Sequence, residues 1–90
     1  MAWRIEFERA AARELEKLDR QDVRRILRFL EERVARLEDP RAIGEALKGS
    51  ELGDFWKYRV GAFRVIVAIE DARVLILVVR VGNRREVYKR

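Results

Sequence analysis

The residues whose types and spacing could do chemistry lie in the second half of the chain. Lys57, Arg59 and Arg64 flank the segment Gly61-Ala62. Arg80, Arg84, Arg85, Lys89 and Arg90 crowd the C-terminus, with Tyr88 among them and Glu86 as the acid between them. The sequence contains no cysteine and no histidine. That removes thiol nucleophiles, disulfides and thiolate metal sites, together with the commonest general base and zinc ligand. The side chains that remain are guanidinium groups, an amine and a phenol. Guanidinium groups grip phosphate through paired N–H donors, which suits an anionic, phosphate-bearing ligand.

The charge distribution supports a polyanionic partner. Of 90 residues, 21 are Lys or Arg and 16 are Asp or Glu, a formal net charge of +5. Residues 1–45 hold 11 basic and 11 acidic side chains, whereas residues 46–90 hold 10 and 5. All the net charge therefore sits in the second half, and the sequence pI is near 10.2. Seventeen of the basic residues are Arg, a bias that an arginine-rich genome could supply in the balanced half but that leaves the asymmetry between halves unexplained.

Elements must hold these groups in place. A chain of this length makes one domain, 1–90, with 49% hydrophobic residues and room for one core. No apolar run approaches the ~18 residues of a membrane span. Arg4, Glu6 and Glu8 precede any apolar stretch, unlike a signal peptide, so the expected location is cytoplasmic. Residues 2–7 alternate apolar and polar, predicting a strand with Trp3, Ile5 and Phe7 inward. Residues 8–18 are rich in helix formers. A second helix of about five turns is expected from a cap at Asp19, carrying Val23, Ile26, Leu27, Leu30, Val34 and Leu37 on one face and stopping at Pro40. Residues 41–53 read as a connector, with a short helical turn around Ala46 and Leu47. Strands are expected at 55–60, 63–70 and 73–81. The apolar run Val74–Val79 marks the last as central and covered on both faces. Gly82-Asn83 is expected to turn the chain into a basic tail. The fold class is α+β: a small, mostly antiparallel sheet of an N-terminal strand and a C-terminal three-strand meander, with a two-helix hairpin on one face.

A type II′ turn at Gly61-Ala62 fixes the hairpin register. Val60 then pairs with Phe63, Arg59 with Arg64 and Tyr58 with Val65. Trp56, Tyr58, Val60, Phe63, Val65 and Val67 share the face toward the helices. Lys57, Arg59 and Arg64 share the other. Like charges directly opposed on a sheet are destabilising, so this patch reads as a site built for an anion. The acidic residues nearest in sequence, Asp54 and Glu70, lie away from the opposed pair. Tyr88, an aromatic ring among cations, can stack on a base or anchor the terminus.

Three runs carry a family resemblance: Leu47-Lys48-Gly49, the stretch Trp56–Ile66, and Arg80-Val81-Gly82-Asn83-Arg84-Arg85-Glu86-Val87-Tyr88. In order and spacing they resemble the RelE branch of the RelE/ParE toxin superfamily of type II toxin–antitoxin systems. The order of elements also matches that superfamily, whose fold is like microbial ribonucleases, over essentially the whole chain. The resemblance implies a toxin that enters the ribosomal A site and cleaves mRNA there as a metal-free endoribonuclease without cofactors, inhibiting translation. It implies catalytic roles for Lys57, Arg64, Arg84 and Tyr88, and RNA or phosphate contacts from Lys48, Arg59, Arg80, Arg85, Lys89 and Arg90. Two departures from the RelE pattern stand out: Phe55 where RelE has a further lysine, and Asn83 where many relatives have His or Lys.

The chemistry of these groups agrees with that implication. RNA cleavage by its own 2′-hydroxyl needs a base, charge stabilisation at phosphorus and an acid for the leaving 5′-oxygen. Without histidine, only Lys, Arg, Tyr or a carboxylate can serve. Arg64 would hold the transition-state phosphate, Arg84 the leaving side, and the product would be a 2′,3′-cyclic phosphate. Such a site is incomplete alone, and the ribosome would position the mRNA. The implied partners are a cognate antitoxin, mRNA on the ribosome with 16S rRNA contacts, and promoter DNA only through the toxin–antitoxin complex, with no membrane. The alternative is a ParE-like inhibitor of DNA gyrase that acts by protein binding without nuclease activity.

Overall fold

The structure is a computed structural model that describes residues 2–47 and 55–83. Strand β1 (Arg4–Phe7) leads into helix α1 (Arg9–Glu16) and helix α2 (Arg20–Phe29), which continues as a π turn over Leu30–Val34. A 3-10 turn at Pro40–Ile43 and a two-residue strand β2 (Glu45–Ala46) follow. Strands β3 (Phe55–Val60), β4 (Phe63–Glu70) and β5 (Leu75–Asn83) complete the described chain. One five-stranded sheet runs β1-β5-β4-β3-β2. It is mixed: β1 lies parallel to β5 and every other pair is antiparallel.

The faces divide as the alternation requires. Trp3, Ile5 and Phe7 pack inward. Ala11, Leu15, Ile26, Leu30 and Val34 of the helical segment meet Tyr58, Val60, Val65, Val67, Ile76, Val78 and Val81 of the sheet in one core. Each fully buried aliphatic side chain there contributes about 1.5–3 kcal/mol. The opposite face carries a smaller cluster of Leu47, Ile66 and Val79, with Phe55 and Leu77 against it. That second cluster is why the β5 sequence is apolar at consecutive positions: Ile76 and Val78 serve one face, Leu77 and Val79 the other.

The β3–β4 register is the expected one: Val60↔Phe63, Arg59↔Arg64 and Tyr58↔Val65. Gly61 has φ +61° and Ala62 keeps a negative φ, the signature of a type II′ turn. Five expectations are corrected. Residues 45–46 pair with β3 as a strand and form no helical turn, because Glu45 and Ala46 lie opposite Lys57 and Trp56. The last strand starts at Leu75, since Asp71–Arg73 form a 3-10 turn closed by Val74 in the left-handed region. Gly82 and Asn83 do not turn the chain; they remain in β5, opposite Arg64 and Phe63. Asp19 occupies the N-cap position of α2 without a side-chain capping bond, and the helical segment ends at Val34, short of Pro40. At that end Ala35 N bonds Leu30 O at 2.8 Å, the wider π spacing, which keeps both Leu30 and Val34 in the core.

Candidate functional site

The open face of the β3–β4 hairpin holds a hollow of ~310 Å³ lined by Ile43, Glu45, Lys57, Tyr58, Arg59 and Arg64. Strand alternation puts Lys57 and Arg59 on one side of β3, and the two-residue turn brings Arg64 directly opposite Arg59. Arg59 is exposed, whereas Arg64 is only 7% exposed. Arg64 also lies opposite Gly82 of β5, which presents no side chain beside it. Among the described residues no carboxylate pairs with Arg59 or Arg64. A buried guanidinium beside a second cation is unfavourable unless an anion joins it, a chemistry that suits an oxyanion.

Glu45 is the carboxylate of this hollow, with Oε1 3.6 Å from Lys57 Nζ. Sequence reading missed it, because the connector gave no strand pattern that would set Glu45 beside Lys57. Glu45 partly offsets the charge of Lys57 and adds a proton-accepting carboxylate beside side chains, Lys57, Arg59 and Arg64, that only donate.

The wall of the hollow is held by a connector pinned from below. Tyr58 points toward the helices, is 1% exposed and donates its hydroxyl to Pro40 O at 2.7 Å. Its ring meets Phe29 edge-on at 5.8 Å. Burial pushes the Tyr58 phenol up to about 12; Arg41 opposes that shift and Asp39 adds to it. Gly44 lets the connector run close over this ring: a Cβ there would sit 2.9 Å from Tyr58 Cε1 and 3.3 Å from Lys57 O. Arg41 ties the connector to the β4–β5 loop by a two-pronged pair with Asp71, at 2.7 and 3.2 Å, and it bonds Asp39 as well. Its guanidinium also stacks over Trp56 at 5.8 Å. The hydrogen bonds from Arg41 hold the Asp71 carboxyl below its usual range.

The predicted site residues separate into three groups. Lys57, Arg59 and Arg64 come together in the hollow. Arg80 does not join them. Its Nε pairs with Glu14 at 2.9 Å, and the same carboxylate accepts Val81 N at 2.7 Å, where β5 runs past the end of β1. Arg80 thus lines a different hollow, of ~430 Å³, with Glu14, Lys17, Leu18 and Phe63. Lys48, Arg84, Arg85, Tyr88, Lys89 and Arg90 lie outside the described residues. Glu14 is a second group the sequence did not reveal, since nothing in a helical run of charges marks the one that meets a strand edge.

Residues 5–88 match the family of ParE toxins of type II toxin–antitoxin systems. The chain belongs to that family, within the RelE/ParE toxin superfamily. Toxin RelG of Mycobacterium tuberculosis is 27% identical over 90 residues, covering all of both chains. Among solved structures, the toxin of the M. tuberculosis RelBE2 toxin–antitoxin complex superposes with a TM-score of 0.84 at 24% identity, over 96% of this chain and 95% of that one. A mutant of Escherichia coli toxin RelE in the free state gives 0.75 at 28% identity, over 98% and 88%. The α+β arrangement of two helices and a five-stranded sheet is therefore the RelE fold. Among the described residues no helix is long and apolar enough to cross a membrane.

Proposed function

We propose that the chain is a ribosome-dependent, metal-free endoribonuclease that cleaves mRNA in the ribosomal A site, the toxin of a pair with a cognate antitoxin. The observation that carries this reading is the hollow on the open sheet face, where Arg59 and Arg64 oppose each other beside Lys57 without a described carboxylate for either arginine. A scissile phosphate fits that chemistry. Arg64, fixed by burial, holds the non-bridging oxygens with paired N–H donors, and Arg59 adds charge from the rim. Glu45 is the carboxylate in the hollow able to accept the proton of the 2′-hydroxyl, and the Lys57 ammonium beside it adds charge stabilisation at the phosphate. Arg84 and Tyr88 act from the tail on the leaving oxygen and the neighbouring base. Lys48, Arg80, Arg85, Lys89 and Arg90 contribute phosphate contacts, with Arg80 requiring release from Glu14. The product is a 2′,3′-cyclic phosphate, and the ribosome supplies the positioning that the hollow lacks.

The antitoxin reading rests on the family and on the RelB–RelE complexes among the similar structures. Its binding segment is expected to be acidic or amphipathic and to order on binding. Purified ribosomes with a defined mRNA, mapped by primer extension, test the activity. The double substitution Arg64→Ala with Arg84→Ala separates the classes. If growth inhibition survives it undiminished, the nuclease reading is wrong. The match to ParE toxins makes DNA gyrase the second target to assay, by supercoiling.

A further inference from the structure

Strand β5 outruns its neighbour. β1 pairs with Leu75–Val78, and Glu8 N reaches Val78 O at 2.9 Å, after which the chain leaves the sheet as α1. Among the described residues no strand flanks β5 on that side from Val79 to Asn83. On the other side the register slips: Ile66 lies opposite Arg80 and Val67 opposite Val78, so Val79 is an inserted residue, a β-bulge. The slip decides what stands beside the buried arginine of the hollow. In the bulged register Arg64 faces Gly82, and Val81 turns into the core at 1% exposure. Without the bulge Arg64 would face Val81, and the side chains of Arg80–Asn83 would change faces. Burial of Val81 favours the bulged register, and a side chain from α1 locks it. Glu14 accepts Val81 N on Oε1 at 2.7 Å and Arg80 Nε on Oε2 at 2.9 Å, and its side chain is 25% exposed. The carboxylate stands in for the backbone carbonyl that a longer β1 would have supplied. Its charge strengthens both bonds. Because they use different oxygens, Arg80 can leave for a phosphate while Val81 N stays held.

We propose that Glu14 is a positioning residue for the hollow: by holding the Val81 amide it fixes the bulged end of β5, and with it Gly82 beside Arg64. The inference rests on the reading that Arg64 holds the scissile phosphate, and it names a group that places Arg64. Glu14 does not line the hollow of Lys57, Arg59 and Arg64, so it acts through β5 and not on the substrate. The path is short. Glu14 binds the amide of the residue next to Gly82, and Gly82 is the cross-strand partner of Arg64. Gly82 has no side chain, which leaves the Arg64 guanidinium its place at 7% exposure. A valine at that register position would crowd it. A shift of ~1 Å in a group that holds reacting atoms can cost ~10²-fold in rate, so a bond that fixes one strand end has a catalytic consequence.

The test uses the full-length protein with Glu14→Ala, which removes both bonds, and Glu14→Gln, which keeps a carbonyl oxygen for Val81 N and gives up the charge. Glu14→Asp, which withdraws the carboxylate by one methylene, replaces Glu14→Ala if a thermal melt finds that variant unfolded. NMR follows amide exchange at Val81 and the Nε–H signal of Arg64 during a titration with inorganic phosphate. Single-turnover cleavage on purified ribosomes follows the chemistry. Glu14→Ala is expected to speed exchange at Val81, displace the Arg64 signal and weaken phosphate binding. It is also expected to lower the cleavage rate about 10–100-fold at an unchanged half-saturating ribosome concentration. Glu14→Gln recovers most of each. Added to Arg64→Gln, Glu14→Ala costs little more, since both changes remove one interaction. A wild-type Arg64 signal in Glu14→Ala overturns the proposal, even with a lowered melt, because Glu14 would then serve stability alone. Rate losses that multiply in the double variant also overturn it. A wild type that cleaves nothing, with the Arg64 signal displaced in Glu14→Ala and restored in Glu14→Gln, sinks the nuclease reading and leaves the placement standing.

Discussion

Arg59 and Arg64 are a liability to the folded chain and an asset to the hollow. Opposed like charges cost a hairpin a few tenths of a kcal/mol, so Arg59→Gln is expected to raise stability by about 0.2–1 kcal/mol in a denaturant titration while weakening single-stranded RNA binding. Arg64→Gln is expected to lower the cleavage rate about 10²–10³-fold, the usual effect of losing one preorganised donor, measured as single-turnover cleavage on the ribosome. Tyr58 presents the opposite case, a polar group used only for structure. Tyr58→Phe removes the buried hydroxyl's bond to Pro40 O and should cost about 0.5–1.5 kcal/mol. The raised phenol also predicts a pH signature. Stability from the neutral phenol is complete below its unfolded value near ~10 and is lost as pH rises toward about 12, so the wild-type melting temperature should fall in that window and the Phe variant's should fall less. At this scale the sequence was informative where spacing decides. The two-residue turn with Gly61 first put Arg59 against Arg64 without any coordinates. It was silent on Glu45 and Glu14, because each meets its partner through a long-range packing event that leaves no local pattern.

The elements that were legible are those with a strong period. Trp3-Arg4-Ile5-Glu6-Phe7, the β3–β4 hairpin and the apolar face of α2 all behave as their alternation or helical spacing requires. The connector was misread because its structure is imposed from outside. Pro40–Ile43 is fixed by Tyr58 and Arg41, and β2 exists only as a ladder on β3. Gly44 is the position that permits this closeness. Gly44→Ala would drive a methyl group into the Tyr58 ring and the Lys57 carbonyl, for an expected loss of about 1–3 kcal/mol by denaturant titration and a displaced wall of the hollow. The continuation of β5 through Gly82-Asn83 was misread for a related reason. Glycine and asparagine usually signal a turn, but pairing with Phe63 and Arg64 on β4 extends the strand, and Glu14 accepts the Val81 amide that β1 no longer reaches.

Across the whole molecule the charge arithmetic understated how unevenly the cations lie. Residues 1–45 are balanced in number, yet among the described residues Arg20, Arg24 and Arg25 of α2 pair with no carboxylate, while acids serve β5, β3 and the connector. One such pairing ties remote parts of the chain. Arg41 and Asp71 join the connector to the β4–β5 loop, and the arginine holds the Asp71 carboxyl below its usual range. A depressed carboxyl contributes stability above its unfolded value near ~3.9 and loses it as pH falls through the folded value. Asp71→Asn should therefore melt slightly lower than the wild type at neutral pH, with the difference vanishing in acid and shrinking at high salt, since the pair is exposed. The central claim is that the hollow around Lys57, Arg59 and Arg64 cleaves mRNA that the ribosome presents. The most direct measurement is primer extension on a defined mRNA incubated with purified ribosomes and this protein. Cuts confined to the A-site codon, absent without ribosomes and lost in Arg64→Gln, are the predicted result. An intact mRNA in the presence of folded protein, or cuts that persist in Arg64→Gln, would contradict it.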